Sequence, residues 1–582
     1  MIGSTVYIPS APNDDEKLKY ININIPFYKL LLVINLATWV LFFYNYYQFF
    51  SANWILLSIF GPLVTFIVIY QVISIIINLF LPKFNHSKHE LLVNQFWSQQ
   101  SKKKPTIDIF LPVCGEDIRI LRNTWEGVYS LNSNIYKINP VVLDDSGSEK
   151  VKELASEFGF KYLSRPNRGE LKKAGNLKFG FQQTSSDFIL ILDADFKPRS
   201  DFIYEALPYM SDPKIGIVQT PQYFDNDKKS YKFSPLMSGA ASIQEYFYKI
   251  IQPSRGVLGG AICVGTCALY RREALSVIGG TYQIEHSEDV YTGFALKANG
   301  YDLKYLPIIL SKGVCPDDIH SFFKQQTRWC LGSMTLMLNK DFWKVKIPFY
   351  TRLCFISGFA FYISNLVGLF LTFHTLITLY FFRDKYSNDF PVVFIILLLN
   401  SLLVQILYVY KKPNFGTILA HGAASWSYIF TLLSLFIGHK EGWTPTGAKS
   451  KISNGLITTY QLLSAYTIIT IGAFVYMYYN DHINFNKIGI YSIIVWFIAQ
   501  CIYCINFWSF ITDYLNLKYF PTLRSLIMKI LYAGQKIILG FLIFSLLFMI
   551  TDDISNKQLS TRLNQQISNS NDKSQTSINI IE

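Results

Sequence analysis

Asp193 and Asp195 flank one residue directly after the apolar run Phe188-Ile189-Leu190-Ile191-Leu192, so both carboxylates can reach a single hard cation such as Mg2+ or Mn2+. Such a cation keeps waters, accepts diphosphate oxygens and neutralises charge on a departing nucleotide. Glu288 and Asp289 stand beside His286 and Ser287, just before the amphipathic stretch Val290 to Ala298. Adjacent carboxylates point in different directions, so Asp289 can act as a general base while Glu288 anchors the loop. A charge pair favoured by a helix amino terminus is the plainer alternative. Gln325, Arg328 and Trp329 are spaced i, i+3 and i+4, which gathers an amide, a guanidinium and an indole on one helix face. Arg328 can then grip a diphosphate while Trp329 stacks under a sugar ring, unless both are lipid anchors.

Two further clusters suit a nucleotide. Asp144 and Asp145 follow Val141-Val142-Leu143 and precede Ser146-Gly147, where a turn after a buried strand can offer acceptors to a base or ribose. A turn with capping duty is the alternative. In Lys172-Lys173-Ala174-Gly175-Asn176, a lysine beside closely approaching backbone suits a diphosphate, although a basic helix face reads the same way.

Elements that could hold these groups are visible around them. Ile107 to Val113, Asn139 to Leu143, Phe188 to Leu192 and Ile215 to Gln219 read as buried strands, with Val151 to Phe158 and Leu171 to Phe181 as helices between them. The pattern predicts a mostly parallel α/β domain with its site beyond the carboxyl ends of the strands, where Asp144-Asp145 and Asp193 to Asp195 fall. Apolar blocks near 27–50, 54–81, 355–382, 391–410, 456–479, 488–510 and 531–550 exceed or approach the roughly 20 residues that cross a bilayer. The run 415–437 is broken by Gly, Ala, His421 and Ser and flanked by basic residues, so it reads as a helix lying in the cytoplasmic interface. An amphipathic helix with Phe322, Phe323, Trp329 and Leu331 follows Asp317.

Composition agrees with that layout. The 582 residues are 51% hydrophobic and only 16% charged, which excludes an ordinary soluble enzyme. The net charge of +13 gathers beside apolar blocks, as at Lys102 to Lys104, Lys411-Lys412 and Lys449 to Lys451. That placement favours anionic lipid and a nucleotide diphosphate over nucleic acid, and sets the domain after the second span in the cytoplasm. Eight scattered cysteines form no paired framework, and Cys501 and Cys504 lie inside an apolar run.

Taken in order, these motifs resemble the processive family 2 glycosyltransferases, the cellulose synthase and hyaluronan synthase group, whose pattern is D, DxD, (T/S)ED, QxxRW. The resemblance implies a multi-pass α-helical membrane protein with an inserted cytosolic α/β GT-A (Rossmann-like) glycosyltransferase domain. It also implies a UDP-sugar donor, Mg2+ or Mn2+ on Asp193 and Asp195, and a channel formed by the later spans. Asp144 and Asp145 match the uridine-binding acidic pair, Lys173 the lysine of a KAGN stretch, and Asp289 the general base. Glu116 is placed with the substrate-binding residues, as are Gln325 and Trp329, while Glu288 and Arg328 join Asp289 as catalytic. Cys263-Val264-Gly265-Thr266 falls where the family has an acceptor-contacting Cys-Gly-Ser loop, with Val264 in the Cys position, so Gly265 and Thr266 are expected to meet substrate. Trp443 to Lys449 looks like the family's gating loop, with Thr446 and Lys449 toward phosphate, although Pro445 and the spacing depart from the usual pattern.

The expected division is a cytosolic segment (1–26), two transmembrane helices (27–82), the catalytic domain (102–315) and amphipathic interface helices with the Gln325 to Trp329 motif (316–352). Two transmembrane helices (353–410), an interface helix (413–438), the gating loop (439–452), three transmembrane helices (455–551) and a disordered tail (552–582) complete it. The expected activity is processive, inverting polymerisation of a UDP-sugar, UDP-glucose first, into a β-glucan such as cellulose, with export across the plasma membrane. A non-processive transfer to a lipid acceptor and a chitin- or hyaluronan-type product are the alternatives. Expected partners are the donor, the growing polysaccharide and membrane lipids; homo-oligomers and accessory subunits are left open.

Overall fold

The computed structural model describes residues 8–51, 53–99, 104–131, 133–224, 235–316, 318–381, 415–437, 455–459 and a few positions up to 472. The expected gating loop, the apolar blocks at 391–410, 488–510 and 531–550, the tail, Cys501 and Cys504 lie outside the described residues.

A seven-stranded sheet organises the α/β domain. Its members are β1 (Thr106–Val113), β2 (Lys137–Asp144), β3 (Lys161–Leu163), β4 (Phe188–Ile191), β6 (Ile215–Gln219), β8 (Ala268–Arg271) and β9 (Asp302–Tyr305). They lie in the order β3-β2-β1-β4-β8-β6-β9. The pairs β3/β2, β2/β1, β1/β4 and β6/β9 are parallel, and β8 is antiparallel to both its neighbours. The sheet is therefore mostly parallel, as expected, with one reversed strand that short polar-flanked runs did not announce. Side chains alternate across it. Ile107, Ile109, Leu111, Val142 and Leu190 enter one core with Trp125, while Phe110, Val141, Leu143, Ile189 and Ile191 enter the opposite core with Leu177 and Tyr270. Both faces are covered, which is why these strands read as unbroken apolar runs.

A smaller sheet, in the order β5-β10-β7, is built from β5 (Lys197–Pro198), β7 (Tyr223–Phe224) and β10 (Ser311–Gly313). The amino-terminal segment is strapped across it. Lys17 Nζ pairs with Asp201 and Glu205, Lys312 with Glu16, and Arg199 with Asp14, while Tyr20 packs edge-on against Tyr223. Polar composition in this segment thus reflects docking onto charged partners.

Among the described residues, four helices have windows long and apolar enough to cross a membrane by length and composition: Ile25–Phe50, Trp54–Leu79, Phe349–Leu371 and Ala420–Ile437. We label the parent helices α1 (Ile25–Phe50), α2 (Trp54–Leu79), α6 (Phe349–Phe381) and α7 (Phe415–Ile437), with α3 (Lys172–Gln182), α4 (Glu288–Ala298) and α5 (Ile319–Leu338) lying between them in the chain. In α1 the buried residues Tyr28, Leu32, Asn35, Trp39, Phe42, Tyr46 and Phe50 recur every three or four positions and pack on α2. Its other faces stay apolar and exposed, as at Leu30, Val33 and Val40, which is the pattern of a helix solvated by lipid. The α7 window differs: 56% of it is buried, against 28–33% for the other three, because α7 packs against the helix Pro235–Tyr246 as well as α5 and α6.

Candidate active site

Lys173 is the hub. It lies in the first turn of α3, whose entry residues Leu171 and Lys172 both have left-handed backbone, φ +52° and +49°. This entry carries Nζ to Asp193 Oδ1 at 2.5 Å and to the Gly265 carbonyl at 2.9 Å, with Glu288 Oε1 at 3.9 Å. Burial alone would lower the Lys173 ammonium, but Asp193, Glu288 and Asp289 outweigh it and hold its pKa above the ordinary lysine value. Only two other non-glycine residues among those described have positive φ, Cys267 and Ser287, and each adjoins a site residue. Strained backbone is concentrated where the expected chemistry lies.

Asp193 follows β4, and its amide N–H donates to Thr266 Oγ1 at 2.8 Å. Burial first, then the charge of Asp193, pushes the Asp195 carboxyl up to about 7. Burial likewise raises the Glu116 carboxyl, whose Oε2 accepts the Cys114 N–H at 2.7 Å. Among the described residues no three His, Cys, Asp or Glu side chains form a ready metal cage. The donor set fits an ion such as Mg2+ or Mn2+, which takes one or two carboxylates plus water and diphosphate oxygens and would relieve the repulsion that raises Asp195.

Glu288 and Asp289 open α4 after left-handed Ser287 (φ +56°). Asp289 Oδ1 accepts the Val290 N–H at 2.8 Å. Burial and then Glu288 push its carboxyl up to about 7, while Lys173 opposes the rise. A carboxylate tuned to that range suits a base operating near neutrality. Two glycines let the loop close. A Cβ on Gly265 would come within 2.8 Å of Asp289 Oδ2, and one on Gly332 within 1.9 Å of Ser287 Oγ. Gly332 lies one turn beyond Arg328 in α5, so the helix bearing the Gln325 to Trp329 face docks directly on the loop of Ser287 to Asp289.

Arg328 is half-buried and faces Glu288, Asp193, Asp289 and Asp195, whose charges oppose the lowering that burial imposes on it. Gln325 and Trp329 are half-buried on the same helix. The neighbouring Gln326, which sequence reasoning passed over, is buried and accepts the Tyr428 Oη–H of α7 at 2.6 Å. Its signal was faint, since an amide on the inner face of an amphipathic helix has no motif of its own.

Three expected contacts come out differently in character. Thr266 is fully buried, with its hydroxyl accepting the Asp193 amide N–H, so it supports the loop that carries Asp193 and Asp195. Asp144 is also fully buried, accepting from Ser146 N and Oγ, Ser148 N and Tyr162 Oη at 2.6–2.9 Å. Asp145 is clasped by Arg165 through Nε and Nη2, both at 2.6 Å. The capping alternative describes the present hydrogen bonds of Asp144, because its oxygens are taken by the turn that follows β2 and by Tyr162 of β3. Thr446 and Lys449 lie outside the described residues.

The model of the glycosyl transferase family 2 matches residues 108–279, a segment that carries Asp144, Lys173, Asp193 and Gly265 and ends before Asp289. The chain is 29% identical over 256 residues to the cellulose synthase 1 catalytic subunit (UDP-forming) of Komagataeibacter xylinus, covering 44% of this chain and 34% of that protein. It is also 29% identical over 229 residues to the cellulose synthase catalytic subunit (UDP-forming) of Pseudomonas fluorescens, covering 39% of this chain and 31% of that one. The chain thus spans about a third of the length of these curated relatives. Among solved structures, the mannosyltransferase PcManGT from Pyrobaculum calidifontis, in complex with GDP-Man and Mn2+, aligns over 64% of this chain and 100% of its own, with 12% identity and a TM-score of 0.43. The α/β domain thus matches the glycosyl transferase family 2 model and is similar to the cellulose synthase catalytic subunits, with long apolar helices on either side of it in the chain.

Proposed function

We propose that this protein is a processive, inverting glycosyltransferase that polymerises a UDP-sugar, UDP-glucose first, into a β-glucan and moves the product across the membrane in which its apolar helices sit. One observation carries the reading: Lys173 touches Asp193 and Gly265 and lies 3.9 Å from Glu288, so the donor-side and acceptor-side groups share one pocket. The acceptor hydroxyl at the non-reducing end attacks the anomeric carbon as the bond to UDP breaks. Its proton passes to Asp289, and UDP leaves with the electron pair. A single displacement inverts the centre. Lys173 and Arg328 meet the negative charge that develops on the leaving diphosphate. A divalent cation held by Asp193 and Asp195 supplies Lewis-acid stabilisation of that charge when bound. Trp329 offers a flat face to the acceptor. The lysine-rich segment after α2 supports a cytosolic catalytic domain, and the packing of α7 against α5, with 56% of its apolar window buried, supports a helix at the interface.

The test supplies purified membranes with a panel of UDP-sugars and Mg2+, Mn2+ or chelator, then digests the product with linkage-specific hydrolases. A metal-dependent polymer from UDP-glucose is expected, and Asp289→Asn should abolish it with UDP binding nearly intact. Transfer of a single sugar to lipid would replace the processive reading, and polymer from Asp289→Asn would remove Asp289 from its role.

A further inference from the structure

Val264 directly precedes two left-handed positions, Gly265 at φ +75° and Cys267 at φ +53°, and among the described residues no strand pairs with it. Gln252 holds the loop upstream through the N–H and C=O of Ile262, and at Val264 it is held by two side-chain amides from the end of β6 and the turn beyond it. Gln219 is fully buried. Its Oε1 accepts the Val264 N–H at 3.0 Å, and its Nε2 donates to the carbonyls of Thr266 at 2.8 Å and Thr220 at 2.9 Å, with Cys267 O at 3.3 Å. Gln222, three residues on, donates Nε2 to the Val264 carbonyl at 3.3 Å and accepts the Tyr248 hydroxyl at 2.8 Å. The two peptide groups that flank the Val264 α-carbon are thereby held, one through its N–H and the other through its C=O.

The loop so held touches three groups assigned to the chemistry, on both its donor and acceptor sides. The Gly265 carbonyl receives Lys173, the Thr266 hydroxyl receives the Asp193 amide, and the bare α-carbon of Gly265 seats Asp289. We propose that Gln219, seconded by Gln222, is a positioning residue that sets the distance between the acceptor-side base and the donor-side ammonium. The proposal rests on reading the site as a glycosyl transfer centre. If the loop slackens, Asp289 loses its register against the incoming hydroxyl sooner than the donor loses its phosphate contacts, so water competes better for the activated sugar. Misplacement by about an ångström is enough to cost on the order of 100-fold in rate.

The test is Gln219→Met, close in length but without the amide, assayed as full-length protein in membranes. Incorporation into polymer and release of free sugar from UDP-glucose are measured together, alongside UDP binding. The expected result is a fall of about tenfold or more in the ratio of polymer formed to sugar released, with UDP binding close to wild type. Gln222→Met should move the ratio the same way by less. Polymer formation and hydrolysis falling in proportion, with the ratio unchanged, would overturn the proposal by showing a merely structural role. Should Gln219→Met fail to accumulate as folded protein, Gln222→Met decides alone, and an unchanged ratio there overturns the proposal as well. Failure of the wild-type protein to consume any UDP-sugar would instead strike the functional reading beneath it.

Discussion

The carboxyl ends of β2 and β4 lie one strand apart in the same sheet and each bears a pair of aspartates, but the two pairs live in opposite circumstances. At β2, Asp144 is saturated by four donors and Asp145 by a guanidinium that is itself buried, with side-chain exposures of 4% for Asp145 and 2% for Arg165. At β4, Asp193 shares its lysine with Gly265 and approaching Glu288, and Asp195 is left with its carboxyl pushed up to about 7 by burial and by its neighbour. A carboxylate that its own chain satisfies stabilises the fold. Carboxylates crowded around too little positive charge are arranged for a ligand that brings the remainder.

That contrast can be broken from either end. Lys173→Met should be the most damaging to activity, lowering glycosyl transfer by on the order of 100-fold or more while leaving the melting temperature close to wild type. A large fall in melting temperature would place Lys173 with the structural pair instead. Arg165→Met should do the reverse, costing about 3–5 kcal/mol of stability because it strands a buried carboxylate, and thermal unfolding in detergent reads it out. A stable, inactive Arg165→Met would assign that pair to the donor. Gly332→Ala sharpens the picture at the loop of Ser287 to Asp289: the added methyl meets Ser287 and should lower turnover several-fold, although alanine favours the helix by about 0.5–1 kcal/mol. Turnover equal to wild type would show that the docking of α5 on this loop is not needed.

The smallest effect is a shift in pH dependence. Asp289 must be deprotonated to accept a proton, and its carboxyl is pushed up to about 7, so activity should rise with pH through about 7. The Glu288 charge is one cause of that elevation, so Glu288→Gln should move the rising limb to lower pH. A limb that stays in place or moves to higher pH would detach it from Asp289.

Much of this arrangement is legible in the sequence. The apolar runs at β1, β4 and β6 give their strands within a residue or two, because a sheet buried on both faces leaves a continuous hydrophobic signature. The α1 and α2 runs announced themselves by length alone. The two- and three-residue strands of the small sheet left no period to read, and β8 gave no hint of its reversed direction. At the site, the motifs named Lys173, Asp193, Asp195, Asp289 and Arg328, yet not the work of Thr266, Gln219 or Gly332. Those three act through hydrogen bonds and close approaches to residues distant in the chain, and sequence spacing carries no trace of either.

The strap across the small sheet also bears on how the molecule is made. Glu16 and its partner Lys312 are 296 positions apart, so at common rates of synthesis the first waits roughly 15–60 s for the second to leave the ribosome. The domain between them is completed by a piece translated before it began, and whatever shields those early charges in the interval belongs to the biogenesis of the protein as much as the helices do.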